Sequence, residues 1–364
     1  MAAFFMKILF TTHQGDLAGS TMSITYLAKG LAEKGHDVHV ACREDTLLWQ
    51  NLREIPMINC HHVSFRSYLD FSSIKEIANI VSNEKIELIN AQGGIDRNLT
   101  ILAKWIYQLK CKLVFTRRQR PRNEPLVKRW FHTTGTDKIV MVSNGLKDIF
   151  VQHGYDPNHL EVIHNGVPIG IIPHLSGEEK NSLKSEWGIK GKVIGCLSRK
   201  KIQEEVIMAL PLISSDYSVL FVGVEEHEFS ETLTKYQPKQ NLIFTGIVDH
   251  KEALKLLQLM DVNVLASHMD GFGLVLVEAM LSGVPVIGSD FGGIPDVIQH
   301  GENGFLFQNG NSELLAKLIK RLLTEEETRQ KFIKKGRQIA IEKFTIEQTI
   351  SKYENLFRKL ISFE

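Results

Sequence analysis

Short apolar runs alternate along this chain with longer amphipathic stretches, and the alternation happens twice. Residues 8–10, 21–34 and 38–41 begin a first series, which continues through 87–90, 99–109 and 113–116. A second series begins at 192–196 and passes through 219–222, 242–244, 262–265 and 284–287. Mainly apolar runs of three to five residues suit strands buried on both faces, with the amphipathic stretches as the helices that cover them. Such βαβ grammar predicts parallel sheets and an α/β fold. Between the two series lie Gly166, Pro168, Gly170, Pro173 and Gly177, a density of turn residues that marks a linker near residue 170. With 364 residues the chain exceeds one ordinary core, so two Rossmann-like halves are expected. After Ser312 the pattern is helical, with Glu325, Glu326 and Glu327 at a helix start.

Bulk properties exclude several classes. A net charge of +1 argues against wholesale binding of nucleic acid. The cysteines Cys42, Cys60, Cys111 and Cys196 are far apart and lack metal-ligand spacing, which fits reduced thiols. The fourteen histidines do not cluster as ligands either, so no metal is expected. No apolar run reaches the ~18 residues of a bilayer span. Residues 1–5 lack a basic flank, so no secretory leader is expected and a cytoplasmic location is. A nicotinamide enzyme is disfavoured, because no Gly-x-Gly-x-x-Gly follows the first predicted strand.

The chemistry concentrates in Asp270-Gly-Phe-Gly-Leu-Val-Leu-Val-Glu278. Gly271 and Gly273 let a ligand approach the backbone, and the helix that follows offers unpaired N–H groups suited to a phosphate. A carboxylate on either side can accept hydroxyl hydrogen bonds from a sugar or a ribose. Diphosphate between two polyols describes a nucleotide sugar.

That segment resembles the signature of the retaining GT-B glycosyltransferases of family four, usually Glu-Gly-Phe-Gly-Leu-x-x-x-Glu-Ala. Residues 6–42, 137–166, 194–210 and 241–266 resemble further family regions in the same order, whereas 45–85 contribute little. The resemblance implies two Rossmann-like domains facing each other across a cleft. An acceptor domain would span 1–168 and a nucleotide-sugar domain 169–345, with a helix over 346–364 returning to the first. It implies that Glu278 holds the ribose and that Asp270, one methylene shorter than the family glutamate, contacts the transferred sugar. Gly271, Phe272, Gly273, Leu274 and Val275 would line the donor, as would Gly19 in the loop after the first strand. Gly246 and Ile247 would meet the nucleobase through their backbone. The donor, UDP-linked, is a substrate; no cofactor or metal is implied.

Three departures from the family pattern matter. Lys201 aligns with the phosphate-binding lysine, but the family arginine falls on Cys196, so Arg199 is the candidate replacement. Ile202 replaces a glycine. Arg118 stands where many members have histidine. Retaining front-face displacement needs no protein nucleophile, and a fixed arginine suits a phosphate or carboxylate on either substrate. Around it Arg117, Arg120, Arg122, Lys128 and Arg129 face the single acid Glu124, followed by Trp130 and Phe131. This stretch is either a solvated basic loop or a docking site for an anionic membrane surface or phosphorylated acceptor. The leading expectation is transfer of a sugar to a glycan or glycolipid, in bacterial surface polysaccharide or lipopolysaccharide biosynthesis, peripherally at the inner face of the membrane. A nucleotide-sugar epimerase and a non-catalytic two-lobed binder remain the alternatives.

Overall fold

A computed structural model describes residues 5–16, 19–121 and 125–362. It divides into two compact units, Met1–Gly166 with Ile346–Glu364, and Val167–Thr345.

In the first unit the strands are β1 (Lys7–Thr11), β2 (Asp37–Cys42), β3 (Ile58–His62), β4 (Leu88–Ala91), β5 (Lys112–Arg117), β6 (Lys138–Met141) and β7 (Leu160–Val162). They form one sheet in the order β3-β2-β1-β4-β5-β6-β7. The second unit holds β8 (Val193–Leu197), β9 (Ser218–Val222), β10 (Asn241–Phe244), β11 (Val262–Leu265), β12 (Val286–Ser289) and β13 (Phe305–Phe307), in the order β10-β9-β8-β11-β12-β13. Every strand pairing in both sheets is parallel. Each order reverses direction once, between β1 and β4 and between β8 and β11. At such a switch point the connections leave toward opposite faces, which opens a crevice at the carboxyl ends of the strands.

The cores follow from the strand composition. Ile8, Phe10, Val38, Val40, Leu88 and Val114 pack against Ile24, Leu27 and Leu31 of the helix Gly19–Glu33. Ile346, Ile350, Tyr353 and Phe357 of the last helix, Ile346–Ser362, join the same cluster, and the Tyr353 hydroxyl lies 3.1 Å from Thr116 Oγ1. In the second unit Ile194, Cys196, Val219, Phe221, Val262 and Val264 pack against Leu315, Ile319 and Leu322 of the helix Ser312–Thr324.

Two boundaries differ from expectation. The strand expected over 284–287 begins at Val286 instead. Gly283, at φ +74°, closes the preceding helix and Val284 N–H bonds back to Ala279 at 2.9 Å, so the chain is still turning there. The stretch 45–85 contains an edge strand, β3, whose sequence Ile-Asn-Cys-His-His hides it from an apolar-run criterion.

Candidate functional site

In the second unit the loops after β8 and β11 meet at the switch point. Lys201 Nζ forms an ion pair with Asp270 Oδ2 across 69 residues of sequence. The Lys201 loop is held by Gln203, which is 2% exposed. Its amide nitrogen donates to Ser198 Oγ at 2.8 Å and Arg199 O at 2.9 Å, and its oxygen accepts Lys201 N–H at 2.7 Å. Sequence reasoning missed this glutamine, because nothing in the local pattern shows it folding back on its own loop. Arg199 is exposed in the same loop. Lys200, between them, is turned away onto the Phe229 ring at 3.5 Å and pairs with Glu204. Cys196 is 1% exposed in the core; burial raises its thiol pKa far above the ordinary value, so it is a neutral packing group.

Gly273 stands at φ +87° and caps the helix Leu274–Leu281. Leu274 and Val275 are therefore the first two helical residues, whose N–H groups lack intrahelical acceptors by position. Gly271 is partly exposed beside them. Phe272 is 2% exposed and packs edge-on against Phe344 at 5.4 Å, so its ring is core and only its backbone can face a ligand. Glu278 is the fifth residue of this helix rather than its first turn, which removes helix-dipole complementation as its reason to be acidic. It is 7% exposed, and its Oε1 lies 3.0 Å from His250 Nε2. Burial alone would lower the pKa of His250, but the hydrogen bond and charge of Glu278 raise it above the ordinary histidine value. His250 was not legible as a partner, being 28 residues away on another helix.

Gly246 and Ile247, the residues expected at the nucleobase, follow β10. Gly246 already donates its N–H to Val224 at 3.0 Å and accepts from Gly223 at 3.1 Å. Ile247 is 78% exposed.

In the first unit the loops after β1 and β4 build a second polar cluster. Asp96, 0% exposed, accepts from the His13 backbone at 3.2 Å and from Gln92 and Gly93 at 3.0 and 2.9 Å; His13 Nδ1 lies 2.7 Å from it. Arg118, directly after β5, reaches into this cluster and donates to the Gln92 side-chain oxygen. Gly19 begins the helix after β1. Of these, sequence reasoning singled out Arg118 and Gly19; the signal for Gln92 and Asp96 was the Gly93-Gly94 turn after a buried strand.

The basic stretch is not one surface. Arg117 is 7% exposed with its guanidinium 4.8 Å from the Phe150 ring centre, so it is an interior residue and not an acceptor or membrane contact. Arg129 Nη1 donates to His153 O at 2.7 Å and caps the helix Asn144–Gln152. Arg120 is exposed and Lys128 partly so; Arg122 lies outside the described residues. Trp130, 59% exposed, stands 6.1 Å from Trp105, itself 41% exposed.

Two parallel sheets of this order make two Rossmann-like units, and the second carries the Lys201–Asp270 pair at its switch point. Family models match the chain. One described as Glycosyl transferases group 1 matches residues 184–339, and one described as Glycosyltransferase Family 4 matches residues 17–170. The chain belongs to this GT-B glycosyltransferase family. N-acetyl-alpha-D-glucosaminyl L-malate synthase of Bacillus anthracis is 26% identical, covering 97% of this chain and 96% of that protein. The capsular polysaccharide biosynthesis glycosyltransferase CapM of Staphylococcus aureus is 24% identical, over 91% and 92%. The Anabaena protein HepE, solved in complex with UDP and glucose, superimposes with a TM-score of 0.83 at 21% identity, covering 97% of this chain and 100% of that one.

Proposed function

We propose that the protein is a retaining glycosyltransferase that moves a sugar from a UDP-linked donor to a glycan or glycolipid acceptor, in bacterial surface polysaccharide or lipopolysaccharide assembly. The Lys201–Asp270 ion pair beside the start of the helix Leu274–Leu281 carries this reading. Without donor, each side chain neutralises the other. When a donor enters, its diphosphate takes Lys201 and the helix N–H groups, and the released Asp270 accepts hydroxyls of the sugar. Glu278, one turn along, is placed for the ribose hydroxyls, with His250 holding its orientation.

As the glycosidic bond breaks, charge grows on the departing diphosphate, and Lys201 with Arg199 stabilises it most at that moment. The acceptor oxygen attacks the same face, and its proton passes to the leaving phosphate oxygen. The sugar therefore keeps its anomeric configuration with no protein nucleophile and no metal. Exposed Arg120 and the aromatic pair Trp105 and Trp130 suit a cytoplasmic enzyme working peripherally at an anionic membrane face. Among the described residues no helix is long and apolar enough to cross a membrane.

A panel of UDP-, GDP- and ADP-sugars, assayed for binding, isomerisation and transfer, tests the reading. The expected result is transfer from a UDP-sugar with retained configuration. Glu278→Gln should weaken donor binding by roughly 1–3 kcal/mol, the worth of a hydrogen bond to a charged group. Lys201→Ala should lower kcat more than it raises KM. Isomerisation without transfer, or unchanged donor affinity in Glu278→Gln, would reject it.

A further inference from the structure

The first unit contains a cluster of buried hydrogen-bond donors built from residues other than the Lys201–Asp270 pair and Glu278. A small cavity there is lined by Gln14, Ser20, Gln92, Arg97, Arg118 and Gln119, with Ile24 as its one apolar side chain. Gln92 is 6% exposed, and its side-chain nitrogen is buried with no hydrogen-bond partner. Arg118 Nε is likewise buried and unpartnered, while its Nη1 is spent on the neutral Gln92 oxygen rather than on a carboxylate. The nearby acid, Asp96, is already committed to His13, Gln92 and Gly93. Burial, the largest influence, lowers the Arg118 pKa despite Tyr353 and Asp96 opposing it. A buried guanidinium Nε and a buried amide nitrogen, both without acceptors, carry a cost that an anionic ligand would remove.

We propose that this cavity binds one oxyanion group, a carboxylate or a phosphate, carried by the acceptor of the reaction. Arg118 supplies the charge-assisted hydrogen bond and Gln92 the neutral one, and Ser20 and Gln14 complete a polar wall. The acceptor is thereby narrowed to an acidic or phosphorylated molecule. The assignment of the ligand as acceptor rests on the transferase reading above; the existence of the anion site does not.

The test uses the full chain saturated with UDP, so that diphosphate occupies the donor side, and titrates it calorimetrically with inorganic phosphate and, separately, with succinate. One of the two should bind, and which one identifies the group. Arg118→Gln and the volume-conserving Gln92→Met should each weaken that binding ~tenfold or more, while UDP affinity and thermal unfolding stay as in the wild type. The proposal is overturned if neither anion binds, if binding survives in either variant, or if UDP affinity falls in step with it. Should UDP fail to bind the wild type, the donor reading is what has failed. The same titration on the unliganded chain, compared with both variants, then decides the cavity by itself.

Discussion

His132 illustrates how much a single buried side chain can govern pH behaviour. It is 2% exposed, and its Nε2 lies 3.1 Å from the Asn98 side-chain oxygen, which calls for the proton on Nε2. Its Nδ1 faces Arg117 Nη2 at 3.5 Å and the Tyr155 hydroxyl at 3.4 Å, so it accepts. Burial first, then the charges of Arg117, Arg97 and Lys128, lower its pKa to about 2. The unfolded chain regains an ordinary histidine and binds a proton that the folded chain refuses. Stability from this site is therefore complete above about pH 6.5 and falls by ~1.4 kcal/mol per pH unit below it. His132→Asn should flatten the fall in thermal stability between pH 6.5 and 5 relative to wild type; an unchanged slope would refute the assignment. The residues of the candidate site divide in the same way. Asp270, Glu278 and Lys201 were legible because their motif is contiguous or lies at the end of a strand. His250, Gln92 and Asp96 act through partners in space, and His13 and Asp96 are 83 residues apart.

At the scale of elements, the donor loop depends on its neighbour. The turn after β12 lies directly on the loop 270–273, and Gly293 N–H donates to Asp270 O at 3.0 Å. A Cβ on Gly293 would stand 2.1 Å from Gly271 O, and one on Gly292, at φ +63°, 2.5 Å from Asp270 O. Backbone cannot retreat as a flexible side chain can, so Gly293→Ala must displace the loop that carries Asp270. UDP affinity should fall about tenfold or more, for a stability loss of ~1–3 kcal/mol. Calorimetric titration with UDP and a thermal melt measure the two; unaltered affinity would mean that the glycines serve packing alone. The glycines were visible in sequence. What they touch was not, since the segment 290–293 meets 270–271 only once two strands are aligned in register.

For the whole molecule, the surface sorts differently from the charge pattern. With Arg117 interior and Arg129 capping a helix, the exposed face beyond the helix Leu126–Gly135 is more aromatic and aliphatic than basic. Leu126 and Trp130, one turn apart, are 69% and 59% exposed, with Trp105 beside Trp130. Binding to vesicles containing anionic lipid should accordingly weaken only in part between 0.1 and 1 M salt, although the Debye length falls from about 10 to about 3 Å. Trp130→Ser should reduce the salt-resistant part. Sedimentation with vesicles measures both, and absence of binding at low salt would end the membrane proposal. The chain's local patterns were enough for the two βαβ series, the turn-rich stretch between them and the chemical character of the donor loop, because periodicity and turn chemistry act over a few residues. That Ile346–Ser362 packs into the first core was implied by the family resemblance and by no local pattern, and tertiary structure alone decided that Lys201 meets Asp270 and that Arg118 bonds to Gln92. Parallel strands are joined through crossover helices, so residues adjacent at one sheet edge are far apart along the chain, and no local pattern records who their neighbours are.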